Sequence, residues 1–135
     1  MNKNFFLLLC CLLLLAPTIS EASYKSNKSI QQCLKQKSVS KASQCLDIII
    51  DKTDRELATW VNNQTFNLEE LAIKTGRKSA LSLFKRSQSD FMNYRENNCR
   101  WQYLAISPDI HASNAYKKCY ILVSRDRINE LKHID

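Results

Sequence analysis

Glycine is almost missing from this chain: Gly76 is the single one among 135 residues. Proline is nearly as scarce, with only Pro17 and Pro108. A sequence so poor in both lacks the usual material of tight hairpins and bulges. Runs of alternating apolar and polar residues are missing too, so strands are not expected. Histidine is limited to His111, after the Pro108 loop, and His133, at the C-terminus, both surface positions. No nucleophile motif and no glycine-rich phosphate loop occurs. The carboxylate pairs Glu69-Glu70 and Asp51/Asp54 read as helix-face charges. An enzyme is therefore not expected, nor is a cofactor.

The N-terminus carries an apolar run. Lys3 precedes twelve apolar residues, Phe5 to Ala16, and Ser20-Glu21-Ala22 places small residues where a signal peptidase reads. Twelve are too few to span a membrane, which takes about twenty. Leu9 before Cys10 and Cys10 before Cys11 disfavour a lipid anchor, which needs a small residue there. Residues 1–22 are read as a cleaved export signal and 23–135 as one domain. The expected location is the periplasm or the exterior. The domain keeps a formal charge of +7, spread along the whole chain and not gathered in a run. That balance favours an anionic polysaccharide or membrane surface as partner, and its even spread argues against nucleic acid.

Four cysteines remain: Cys33, Cys45, Cys99 and Cys119. Behind an export signal they read as two disulfides. Spacings of 12, 54 and 20 lack the close pairs of a zinc site. A short helix is expected over Ser29–Lys37, after a loose tail at Tyr24–Asn27. Three long helices follow, at about Ala42–Leu71, Arg77–Leu104 and Ser113–Lys132, with Ser40 or Ser43 as a cap and Gly76 and Pro108 as breaks. Leu46, Ile49, Ile50, Thr53, Leu57, Trp60 and Val61 form the inner stripe of the first. Leu81, Phe84, Phe91 and Tyr94 form that of the second. The fold class is all-α: an antiparallel bundle of three long helices plus a short N-terminal one, stapled by disulfides. Folding the helices back and forth brings the cysteines toward one end. Cys33–Cys45 with Cys99–Cys119 closes local loops, each worth roughly 3 kcal/mol in the chain-entropy model. Cys45–Cys99 with Cys33–Cys119 stays open.

Gln88, Phe91, Arg95 and Cys99 share one helical stripe, so a glutamine and an arginine face inward. Counted from the cysteine end at about 1.5 Å per residue, Asp54, Arg127 and Gln88 reach a similar depth, roughly 12–16 Å. Asp54 is expected to pair with Arg127, with Gln88 beside them. Arg95, about 6 Å down, is expected to pair separately or to cover the disulfide layer. Such a group reads as a polar layer that fixes helix register rather than as a catalytic carboxylate.

The same residues carry a resemblance. "QSDFMNYRENNC", from Gln88 to Cys99, is similar to the Gln-x-x-aromatic-x-x-aromatic-Arg-x-x-x-Cys segment of LprI-like lysozyme-inhibitor domains. "CYILVSRDRINEL", Cys119 to Leu131, resembles the closing segment of that family. "CLDIIIDKTDREL", Cys45 to Leu57, matches its Cys followed nine residues later by Asp and then Leu, and Cys33 fits its first cysteine. The likeness runs from about Ile30 to Leu131. It departs at Ala58 and Val61, where the family usually carries Asn and Tyr. The resemblance implies an exported, non-enzymatic helical protein that binds and blocks lysozyme. Within "CRWQYLAISPDIHAS", Arg100, Trp101, Tyr103 and His111 are the residues for such a contact, since Arg and aromatics are usual interface anchors. Trp101 and Tyr103 are at the same time expected to finish the core of their helix.

Overall fold

A computed structural model describes residues 21–134. They form four helices, α1 (Glu21–Leu34), α2 (Val39–Thr75), α3 (Ser79–Ile106) and α4 (Ala112–Lys132), and no strand among the described residues. The export signal read at residues 1–22 lies, up to residue 20, outside them. Among the described residues no helix is long and apolar enough to cross a membrane.

Several helix boundaries have a local cause. Ser38, in extended backbone, accepts the Lys41 N–H on its side-chain oxygen and starts α2. Ser40 and Ser43, the expected caps, fall inside the helix instead. At the other end Gly76 takes φ 71°, the left-handed conformation that closes α2, and its N–H donates to the Ala72 carbonyl. α3 stops at Ile106, immediately before Ser107-Pro108. The first helix departs most from expectation. Tyr24–Asn27, read as a loose tail, is helical, and α1 ends at Leu34, short of Lys37. The Cys33–Cys45 bridge, with a Cα–Cα distance of 5.3 Å, forces the chain to reverse between α1 and α2.

α2 and α4 run parallel to each other, with α3 antiparallel to both. A second bridge, Cys99–Cys119 with a Cα–Cα distance of 5.5 Å, ties the end of α3 to α4. Asn114 donates to the Val39 carbonyl at 3.3 Å, and Lys117 reaches Asp47 at 2.6 Å, so α4 starts beside the start of α2. Both sulfur bridges therefore lie toward one end of the bundle, here called the disulfide pole.

Two apolar clusters make the core. Near the disulfide pole Ile30, Cys33, Leu46 and Ile121 are buried, with Ile49, Ile50 and Leu122 packed against them. Farther along, Leu57, Ile128 and Leu131 are buried against Trp60, Val61, Phe84 and Phe91. Each fully buried aliphatic side chain contributes about 1.5–3 kcal/mol. Tyr94, expected inside, is 58 % exposed, because its neighbour Arg95 takes the inward position.

α4 is much shorter than α2. Its last turn reaches only Glu56, where Lys132 sits 2.6 Å from the carboxylate, and the Trp60 ring. Beyond Trp60, α2 runs on for fifteen residues to Thr75, about 22 Å, accompanied only by the start of α3. Among the described residues the bundle thus has three or four helices at the disulfide pole and two at the other.

Candidate functional site

Polar residues gather in two places. The first lies between the apolar clusters. Arg95, only 4 % exposed, donates to Ser124 Oγ at 2.8 Å and lies 3.5 Å from Asp54 Oδ1. Its guanidinium sits 3.8 Å from the centre of the Tyr120 ring, a cation–π stack. The Tyr120 hydroxyl donates to the Asp54 carboxylate at 3.1–3.2 Å, and Ser124 donates to the Tyr120 carbonyl. Burial pushes the Tyr120 phenol up from its ordinary value, and Asp54 adds to the shift. Arg95 Nε is buried and makes no hydrogen bond within the protein.

The expected partner of Asp54 was Arg127, and this is corrected. Arg127 bonds elsewhere: to Glu130 at 2.8 Å, to Gln88 Oε1 at 3.3 Å and to Ser87 Oγ at 3.3 Å. The reason is stagger. Asp54 lies nine residues from Cys45, yet it meets Arg95, four from Cys99. Cys45 and Cys99 are therefore offset by about five residues, or 7–8 Å, along the bundle. Counting depth from a common cysteine level carried Asp54 too far. Gln88 stands beside Arg127, on the same α3 stripe as Arg95.

This layer ties α2, α3 and α4 together through one guanidinium. Its chemistry is that of a positioned ion pair. Asp54 is held by a cation and a phenol. Among the described residues no group of three or more His, Cys, Asp or Glu gathers where a metal could be held.

The second place is the surface at the disulfide pole, where α3 ends and α4 begins. Glu96, Arg100, Tyr103, Leu104, Ser113 and Tyr116 line an open groove of about 280 Å³. Arg100 pairs with Glu96 at 3.1 Å on the exposed surface, and the Tyr116 hydroxyl donates to the other Glu96 oxygen. Those two bonds, Tyr116 first, hold the Glu96 carboxyl below its usual range. Burial and the Glu96 bond push the Tyr116 phenol up to about 12. Trp101 does not finish the core. It is 60 % exposed, its ring nitrogen donating to Asn98 within its own helix at 3.3 Å. Tyr103 and His111 are exposed as well, as are Leu104, Ile106 and Ile110. Among the described residues no helix covers this side of α3 at the pole, so aromatics that would be core elsewhere face solvent.

The groove brings Arg100 and Tyr103 together. Trp101 and His111 do not line it: Trp101 stands one helical turn from Leu104, which does, and His111 immediately precedes α4. Sequence reasoning missed Glu96, Tyr116, Tyr120 and Ser124. Their signal was present: Tyr116, Tyr120 and Ser124 stand four apart, a hydroxyl-bearing stripe on the α4 face turned to α3.

The Tyr116–Glu96 bond makes a testable statement. The folded phenol binds its proton more tightly than the unfolded one, so this contribution to stability is present below about pH 10 and is lost as pH rises toward 12. Absorbance titration should show one tyrosine ionising near pH 12, and Tyr116→Phe should remove that step. Loss of a tyrosine ionising near the ordinary pH 10, with the high-pH step retained in the variant, would contradict the bond.

No curated protein and no solved structure matches the chain. A family model described as lysozyme inhibitor LprI matches residues 26–131, which contain all four bridging cysteines, the Arg95 layer and the pole groove. With most of its length covered by that match, the chain belongs to the LprI lysozyme-inhibitor family.

Proposed function

We propose that the protein is exported and that it binds and blocks lysozyme with the surface at the disulfide pole around Arg100, Trp101, Tyr103 and His111. Family membership supports the partner. The single observation that supports the surface is the exposure of Trp101, an indole left in solvent next to Arg100 where α3 ends. Indole and phenol rings beside an arginine are the residues that dominate protein interfaces. Two disulfides fit an oxidising compartment, and a leader ending near Ala22 would deliver the chain there.

A net charge of +7 slows encounter with a basic lysozyme. The contact itself reverses that sign. A lysozyme cleft holds two catalytic carboxylates, and Arg100 is an exposed cation already bound to a carboxylate. Exchanging the Glu96 pair, worth about 0–1 kcal/mol on the surface, for a cleft carboxylate costs little. Tyr103 and Trp101 then supply apolar area around the charge.

Lysozyme activity titrated with the oxidised domain should fall to a plateau at a fixed molar ratio and should do so at physiological salt. Trp101→Ala should weaken inhibition about 10-fold or more, a typical loss for a central aromatic anchor. Its thermal midpoint should stay within about 2 °C of the parent, as for a surface substitution. Inhibition without saturation, or an unchanged titration in the Trp101 variant, would remove the assignment of this surface.

A further inference from the structure

The two-helix end of the molecule has no part in the reading above, and its surface is built differently. Around the Gly76 turn, Leu71 and Ile73 on α2 and Leu83 on α3 are exposed, Ile73 by 85 %. Ala72, Ile73 and Leu81 floor an open groove of about 550 Å³ between the helices, rimmed by Glu69, Lys78 and Lys85. Phe66, one turn and a half further back, is exposed too. Among the described residues no third helix reaches this end, and these side chains face solvent.

Charge decides what covers them. Both nearby carboxylates are already matched, Glu70 by Lys74 at 3.7 Å and Glu69 by Lys85 at 3.2 Å. Arg77, Lys78 and Arg86 form no ion pair among the described residues. The tip is therefore an apolar point inside a cationic collar. A second copy docking tip to tip would bring like charges together. A polysaccharide would use the collar but leave Ile73 and Leu83 without a role. An anionic bilayer uses both: apolar side chains enter the acyl boundary to about 5–10 Å, and Lys and Arg stems rise from it to the headgroups. Leu71 and Ile73 lie within about 8 Å of the turn, and Leu83 within about 11 Å, so an end-on approach places them at that depth.

We infer that the α2–α3 hairpin tip docks on an anionic lipid surface, leaving the disulfide pole pointing away from it. The oxidised secreted chain should cosediment with vesicles of phosphatidylglycerol and phosphatidylethanolamine and far less with phosphatidylcholine alone. Raising salt from about 50 to 300 mM should weaken binding several-fold, as the Debye length contracts. Arg77→Glu with Lys78→Glu should reduce binding at least 10-fold, and Ile73→Ser several-fold. Lys35→Glu with Lys37→Glu, an equal charge change at the other pole, should stay within twofold. Lysozyme titration with the same tip variants should be unchanged, which separates this surface from the inhibitory one. Equal binding to phosphatidylcholine, or equal loss from the Lys35/Lys37 reversal, would overturn the inference. So would dextran sulfate binding as tight as vesicle binding and indifferent to Ile73, or a dimer in sedimentation velocity that Ile73→Ser dissolves.

Discussion

Replacing Cys33, Cys45, Cys99 and Cys119 with serine is expected to lower stability by about 6 kcal/mol, the largest single effect available in this fold. Each bridge closes a short loop, 12 residues for Cys33–Cys45 and 20 for Cys99–Cys119. In the chain-entropy model the two are worth roughly 3 kcal/mol apiece. A domain of this size has about 5–15 kcal/mol in total. Its apolar core is divided into two small clusters, so little reserve stands behind the bridges. Removing one bridge should lower the thermal midpoint by about 10 °C, and removing both should leave no cooperative transition well above room temperature. Helical circular dichroism followed against temperature reads this directly. Shifts of only about 2–3 °C would mean that packing holds the helices without sulfur.

Asp54→Ala is expected to cost about 2–3 kcal/mol in urea unfolding, although the residue is far from any candidate binding surface. Its removal strands a guanidinium buried to 4 % exposure, with Ser124 Oγ and the Tyr120 ring left to share its charge. Stripping one partner from a buried pair usually costs 3–5 kcal/mol. Asp54 keeps 42 % of its side chain in solvent and stands 3.5 Å from Arg95, which places the effect at or below the low end. The double variant Asp54→Ala/Arg95→Met should be milder than the sum of the two single changes, because no unpaired charge remains. Asp54→Ala with Arg127→Met should instead add to within about 0.5 kcal/mol, since those residues share no partner. Additivity in the first pair and coupling in the second would restore the pairing read from residue counts.

Those counts explain what was legible and what was not. A lone glycine and a lone domain proline mark the two breaks between long helices, so the bundle and its antiparallel order could be read directly. The four cysteines were legible as two bridges near one end, but the choice between local and crossed pairing was not, since both fit that placement. Polar residues on the α3 stripe were legible as inward-facing, and Arg95 and Gln88 do turn inward. Which carboxylate each cation meets depends on helix stagger. Stagger is set by packing among many side chains and leaves no mark on any one residue. Trp101 and Tyr103 show the same limit. An aromatic on a helical stripe is buried only if another helix reaches it, and no local pattern records where the short α4 begins. That α1 takes in Tyr24–Asn27 was hidden because that stretch carries no apolar repeat.

The sulfur links join α1 to α2 and α3 to α4, and neither crosses from one pair to the other. In covalent terms the molecule is two closed loops threaded on a single strand, and that strand passes between them once, at the turn holding its only glycine. One peptide bond cut near Gly76 would divide the chain into two self-contained, cross-linked pieces whose union then rests wholly on Arg95, the shared core and the tether of α4 to α2. That exposed turn is thus also the seam along which the whole architecture can be divided.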